Sequence, residues 1–241
     1  MRFYTSTEVK INESDLSFSL RMSKFAKFLE KNDKKEDKVK PVSFVCEAKK
    51  TPCDKFNIPS SLSFEMKLGG RLLVNHAGGV LENSGLCIHR FFNYPMIPGS
   101  ALKGIAGHAA WLEYQECSDK QEQRKLKEKI IRIFGSFGNE TRSENAGTVA
   151  FLAAVPAKDD WKLVADVLTP HGGNDYTNPV PSFFVAVEKG ATFKFFLNKT
   201  SRAEAGDLDL AEKWLKKGLT ESGAGAKTAA GYGWFKEVAN G

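Results

Sequence analysis

No Cys-x-x-Cys pair, no His-Glu-x-x-His segment and no Gly-x-Ser-x-Gly elbow occurs in these 241 residues. Their absence removes the local signatures of a zinc ribbon, a zinc-dependent protease and a serine hydrolase. Only four cysteines are present, Cys46, Cys53, Cys87 and Cys117, and reduced thiols are expected rather than a disulfide framework. The four histidines, His76, His89, His108 and His171, lie at no diagnostic spacing, so each is expected to pack or cap locally. No cofactor and no metal is expected. Long apolar runs are missing as well: none approaches the roughly 20 residues that a membrane helix needs. Met1 to Lys10 lacks the apolar centre of a signal peptide. Together these absences predict a cytoplasmic protein with no membrane partner.

Aromatic residues are plentiful by contrast. Eighteen Phe residues and a hydrophobic content of 41% predict a packed α/β or α+β protein, long enough for one large domain or two small fused ones. The formal net charge of +6 is compatible with a polyanionic partner and does not by itself require one.

Glycine is concentrated near the C-terminus, in Gly223-Ala-Gly-Ala-Lys227-Thr-Ala-Ala-Gly231-Tyr-Gly233. Small residues let a backbone approach a ligand closely, while Lys227 and Thr228 supply anion-binding side chains. A nucleotide-binding P-loop would need Gly directly before the Lys and again six residues before it, where this chain has Ala226 and Glu221. The stretch also joins a helical pattern, Leu208 to Leu219, to a strand-like tail, Trp234 to Val238, the reverse of the P-loop order. ATP or GTP binding is therefore not expected.

From the N-terminus, Leu16, Leu20, Phe25, Phe28 and Leu29 fit an amphipathic helix capped by Ser14 or Asp15, although Leu16 to Met22 also fits a two-residue period. Lys31 to Lys40 reads as a solvated charged loop. Residues 1–60 are thus expected to pack on or extend a core formed by 61–241. Leu62-Ser-Phe-Glu-Met-Lys-Leu68 alternates as a half-buried strand, and Arg71 to Val74 is a second strand or a continuation past a bulge. Ile97-Pro-Gly-Ser100-Ala-Leu-Lys103-Gly104 predicts a helix with Ser100 as N-cap. Two readings fit that motif equally: a plain capped helix, or a helix end that holds phosphate through Ser100 and Lys103.

A second helix is expected from about Ser118 to Phe134, then strands at Thr148 to Val155 and Leu163 to Leu168. Pro181 to Val187 and Thr192 to Leu197 are expected to pair as a hairpin, and a last helix starts near Asp207 or Asp209. Mixed elements with antiparallel connections predict an α+β fold of ferredoxin-like type.

Ile97 to Gly104, Phe134-Gly135, Ala146 to Phe151 and the loop ending in Gly231-Tyr232-Gly233 occur in the order seen in one family. Over roughly residues 62 to 238 the chain resembles the RAMP superfamily of CRISPR effector subunits. Asp166 to His171 together with Pro179-Val-Pro181 is similar to the sixth subunit of the type III-B Cmr complex. The resemblance implies an RRM-like (ferredoxin-like) core and a non-catalytic place in an antiviral ribonucleoprotein. Such a subunit caps the backbone filament and holds the 3′ part of the CRISPR RNA beside other Cmr subunits, with target RNA as a further partner. RNA-facing residues carried over are Ser100, Lys103, Gly223, Gly225, Lys227, Thr228, Gly231 and Tyr232. Where the family has an Arg after the Lys-Gly pair, this chain has Gly107 and His108, and Arg90 is the candidate replacement. The alternative within the family is a catalytic backbone subunit that cleaves target RNA with a loop Asp and a metal, for which Asp33, Asp37 and Asp54 are the candidates.

Overall fold

A computed structural model of the chain describes residues 58–76, 85–136, 145–168 and 182–238. The N-terminal helix and charged loop expected before residue 58 lie outside the described residues, as do Cys46, Cys53, His171 and the three candidate aspartates.

Strand β1, Leu62–Leu68, forms where the sequence alternates. It pairs antiparallel with β8, Thr192–Lys199, in the register Phe64↔Phe195 and Met66↔Phe193, and with β9, Phe235–Glu237, through Leu68↔Phe235. Each of these pairs places two apolar side chains on one face, because partners directly opposite in a ladder share a face. The rings of Phe64 and Phe195 stack at 5.2 Å, and Phe235 meets Phe193 and Phe195 edge-on.

Helices α1, Gly99–Glu116, and α3, Asp207–Glu221, pack against each other and reach this sheet, α1 at β4 (Val149–Phe151) and α3 at β8 and β9. The buried residues of α1 are Leu102, Ala106, Ala109 and Ala110; three alanines let α3 come close. With β4 pairing β8, the sheet order is β4-β8-β1-β9. Taken as β1-α1-β4-β8-α3-β9, this is the β-α-β-β-α-β arrangement of a ferredoxin-like domain, as expected from the order of elements.

Three pieces are added to that core. Helix α2, Lys120–Phe134, follows α1; its N-cap is Asp119, whose Oδ1 accepts from the Gln121 N–H at 2.9 Å. A two-residue pairing of β2, Gly135–Ser136, with β3, Asn145–Ala146, comes next. Between β4 and β8 stand β5, Val155–Pro156, which also pairs with β8, and a separate ladder of β6, Leu163–Leu168, with β7, Ser182–Val187.

Several expectations change. β7 and β8 are consecutive but do not form a hairpin: β7 pairs with β6 in its own ladder, while β8 enters the central sheet. Gly190, at φ 98°, carries the chain from one to the other. The single strand expected over Thr148 to Val155 is two short ones, because Ala154 turns aside to bridge Ile97. Arg71 to Val74 is no full strand; Leu72 bridges Val187 and Leu73 bridges Gly225. Finally, Ser100 is not the N-cap of α1. Pro98 holds that position, its carbonyl accepting from the Ala101 and Leu102 N–H groups, which leaves Ser100 exposed inside the first turn.

Among the described residues no helix is long and apolar enough to cross a membrane.

Candidate nucleic-acid interface

The glycine-rich stretch begins as the C-terminal cap of α3. The Ser222 and Gly223 N–H groups both donate to the Gly218 carbonyl, and Gly223 takes φ 75°. Backbone pairing then closes the loop on segment 71–73: Ala224 N–H donates to the Gly233 carbonyl at 2.8 Å, Ala226 N–H to Leu73 at 2.7 Å, and Gly233 N–H to Arg71 at 2.6 Å. Small residues are required by this packing. A Cβ on Gly225 would sit 2.2 Å from the Leu73 carbonyl oxygen, and one on Gly233 only 1.8 Å from that of Ala224.

At its tip the loop makes a short 3-10 turn, Thr228–Ala230, preceded by Lys227 in the left-handed region at φ 60°. The Trp234 indole N–H donates to the Thr228 carbonyl at 2.9 Å and pins the turn. Among the described residues nothing accepts from the N–H groups of Lys227, Thr228 or Ala229. Successive uncommitted N–H groups around a left-handed residue form a partly positive concavity. The Lys227 ammonium lies 5.6 Å from the centroid of the buried Phe184 ring. That ring also meets His76 edge-on; burial, and then the Lys227 charge, holds the His76 pKa below its ordinary value.

Tyr232 points inward. It is 7% exposed, packs with Leu73, Phe184 and Ala186, and donates its hydroxyl hydrogen to Asp166 on β6. The same carboxylate pairs with Arg71. Burial acts to raise the Asp166 pKa, but the hydrogen bonds from Tyr232 and Arg71 outweigh it and the carboxyl ends below its ordinary value. Burial and the bond to Asp166 push the Tyr232 phenol up to about 12.

Ser100 and Lys103 belong to a different surface. They line an open groove of 540 Å³ together with Gly104, Gly107 and Trp111 of α1, the end of α2 and the β2–β3 pair. Positions 100, 103, 104, 107 and 111 fall on one side of a helix. Among the described residues of the lining, Lys103 is the sole charged one. The Arg202 guanidinium donates to the carbonyl of Ala146, one of the lining residues, at 3.4 Å. No residue of the glycine-rich loop lines this groove.

Arg90 lies elsewhere, exposed in the turn of a small hairpin in which Cys87 and Met96 pair. Its neighbour Phe91 is 77% exposed, above a cluster of His89, Phe92 and Tyr94. His108 is exposed on α1. Cys87 and Cys117 are free thiols, and no group of His, Cys, Asp and Glu among the described residues is arranged to hold a metal.

Sequence reasoning overlooked Arg71, which reads as a strand residue, and used Asp166 only as part of a motif. It also passed over Trp111 and Gly104, although their helical spacing from Ser100 was available.

A sequence profile described as the RAMP superfamily matches residues 65–236, most of the chain and nearly all of the fold just described. The chain belongs to the RAMP superfamily. Within it, the chain is similar to Cmr6 subunits. It is 24% identical to the CRISPR system Cmr subunit Cmr6 of Pyrococcus furiosus, covering 76% of this chain and 70% of that one. It is 27% identical to the CRISPR system CMR subunit Cmr6 of Saccharolobus solfataricus, covering 73% of this chain and 57% of that one. Among solved structures, a chain of the type III-B Cmr-beta complex bound to cognate target RNA superposes with a TM-score of 0.54 at 26% identity. The match covers 72% of this RAMP chain and 57% of the other. The chain thus spans a little over half the length of two of these three relatives.

Proposed function

We propose that this chain is a non-catalytic, RNA-holding subunit of a type III-B CRISPR ribonucleoprotein. In this reading it caps the backbone filament, grips the 3′ part of the CRISPR RNA, and works in the cytoplasm with other Cmr subunits in antiviral defence. Membership of the RAMP superfamily and similarity to Cmr6 subunits support the setting. Residues 61–241 are proposed as the RNA-holding unit.

The observation that carries the RNA-holding role is the groove on α1. Among the described residues the lining holds one cation and no anion, which suits a polyanion. Its floor includes Gly104, exposed in mid-helix, with no atom of the described residues within 4 Å of the position its Cβ would take. Glycine there costs the helix about 1 kcal/mol relative to alanine, and the fold gives no packing reason for it. Room for a ligand backbone is a sufficient reason. A guide must be held irrespective of its sequence, so phosphate and sugar are the features to grip, and Ser100 and Lys103 are chemically suited to both.

The glycine-rich loop is proposed as the second grip, through Lys227, Thr228 and the free N–H groups at its tip, with Gly231 keeping that tip open. Gly223 and Gly225 serve by shaping the loop, and Tyr232 by holding it to Asp166. Arg90 is proposed as a peripheral phosphate contact.

The test is to purify the full chain together with its neighbouring subunits and analyse the nucleic acid that accompanies it. RNA of uniform length in a large complex is expected, with Lys103→Ala lowering its retention as salt rises. A chain that assembles through protein contacts alone and ignores both salt and Lys103→Ala would overturn the RNA-holding role. Loss of target cleavage on replacing Asp33, Asp37 or Asp54 would overturn the non-catalytic one.

A further inference from the structure

Trp111 stands at the end of the groove that begins with Ser100 and Lys103, and neither the family match nor the motifs give it a role. At 40% exposure it is one of few large apolar side chains open to solvent among the described residues. The other tryptophans differ: Trp161 and Trp214 are buried, and Trp234 is committed to the Thr228 carbonyl. A lone exposed tryptophan is ordinary. Trp111 is not alone, since it shares the lining of the groove with Lys103 and Gly107.

Two features suit the ring to stacking. Tyr114 packs against it at nearly a right angle, with centroids 5.2 Å apart and planes at 84°, so the indole is braced by a neighbour that in this geometry covers at most one of its two faces. Bracing reduces the side-chain entropy lost when a ligand stacks. Along α1, Trp111 lies eight residues beyond Lys103, about 12 Å at 1.5 Å per residue. A strand whose phosphate sits at Lys103 and which follows the groove therefore brings a later nucleotide against the indole. Gly107, between them, places no side chain in its path.

We infer that Trp111 is a base-stacking platform that receives one nucleotide of a single-stranded RNA lying in the α1 groove. This rests on the RNA reading of that groove and adds to it a contact that is neither electrostatic nor sequence-reading. Every base has a π face, so a stacking platform tolerates any guide sequence, as a phosphate contact does. A protein partner seated on the same face is the competing occupant, and the charge of the lining disfavours an acidic-poor apolar one.

The experiment compares the full chain with Trp111→Ala, Trp111→Phe and Lys103→Ala. Two probes are used at several salt concentrations: a single-stranded oligoadenylate and an abasic strand of the same length and charge. Trp111→Ala is expected to weaken oligoadenylate binding about tenfold, the scale of one lost base–aromatic stack, and to leave the abasic strand and the salt slope unchanged. Trp111→Phe is expected to restore most of the loss, and circular dichroism checks that both variants are folded. Equal weakening on both probes, or no weakening on either, overturns the stacking role. So does a Trp111→Ala variant that binds oligoadenylate normally yet fails to join its neighbouring subunits. If Lys103→Ala lowers affinity and slope while Trp111→Ala changes nothing, only the stacking role fails. If neither substitution changes anything, the RNA reading of the groove fails with it.

Discussion

The hydroxyl of Tyr232 donates to the carboxylate of Asp166, 66 residues earlier in the chain, and thereby ties the glycine-rich loop to the β6–β7 ladder. Arg71 closes the triangle from the segment that follows β1. Three regions remote in sequence are thus fixed at one carboxylate.

Tyr232→Phe should cost about 1–2 kcal/mol near pH 7, since it leaves a mostly buried carboxylate short of one donor while Arg71 remains. The pH dependence follows from the shifts. The Tyr232 phenol is raised to about 12, so its contribution is complete below about pH 10, the unfolded value, and is lost as pH rises toward 12. Asp166 is lowered, so its contribution is complete above about pH 4 and is lost as pH falls further. Urea unfolding of both proteins should show the difference between wild type and Tyr232→Phe narrowing from pH 10 to 12. A difference that stays constant across that range would refute the coupling.

Glycines of the same loop should respond very differently to alanine. Gly233→Ala places a Cβ 1.8 Å from the Ala224 carbonyl oxygen at φ 72°, so backbone must move, and a loss of 3 kcal/mol or more is expected, on the order of other severe backbone conflicts. Gly231→Ala meets nothing within 4 Å among the described residues, so only the left-handed conformation is penalised, by about 1–2 kcal/mol. Thermal denaturation of the two variants gives the order directly.

Gly104→Ala separates folding from binding by sign. Alanine in an exposed helix interior should stabilise the protein by about 0.5–1 kcal/mol. The same methyl enters the α1 groove, so affinity for single-stranded RNA should fall. A variant that is both more stable and an equally good binder would show that the groove floor is not in contact with RNA.

The sequence made the local elements readable because their signals are local. Leu62 to Leu68 alternates, Lys120 to Phe134 carries a strong apolar stripe, and Asp207 to Glu221 opens with two acids in its first turn; all three appear where expected. What was not readable depends on partners distant in the chain. Nothing near Ser182 to Val187 says that it pairs with β6 rather than β8, because either pairing buries alternate side chains. The cap of α1 differs from the expected Ser100 for a local reason: Pro98 presets the helix entry and displaces Ser100 inward by two positions. The motifs located both candidate RNA surfaces, but not that they are separate, nor that Tyr232 turns inward to Asp166.

Lys103 and Lys227 provide the last discrimination, because their surroundings differ. Lys103 is exposed and has no partner among the described residues. Lys227 lies above the Phe184 ring and occupies a left-handed backbone position. Lys227→Gly removes a cation–π contact of about 0.5–1 kcal/mol and relieves a left-handed cost of about 1–2 kcal/mol, so stability should change by less than about 1.5 kcal/mol. RNA binding then reports the role of the charge alone. If each lysine touches one phosphate, each substitution should flatten the slope of log K against log salt by about 0.7, and Lys103→Ala with Lys227→Gly by about 1.4. A slope lowered by Lys103→Ala and untouched by Lys227→Gly would make Lys227 a brace of the loop through Phe184, and would leave the α1 groove as the electrostatic grip.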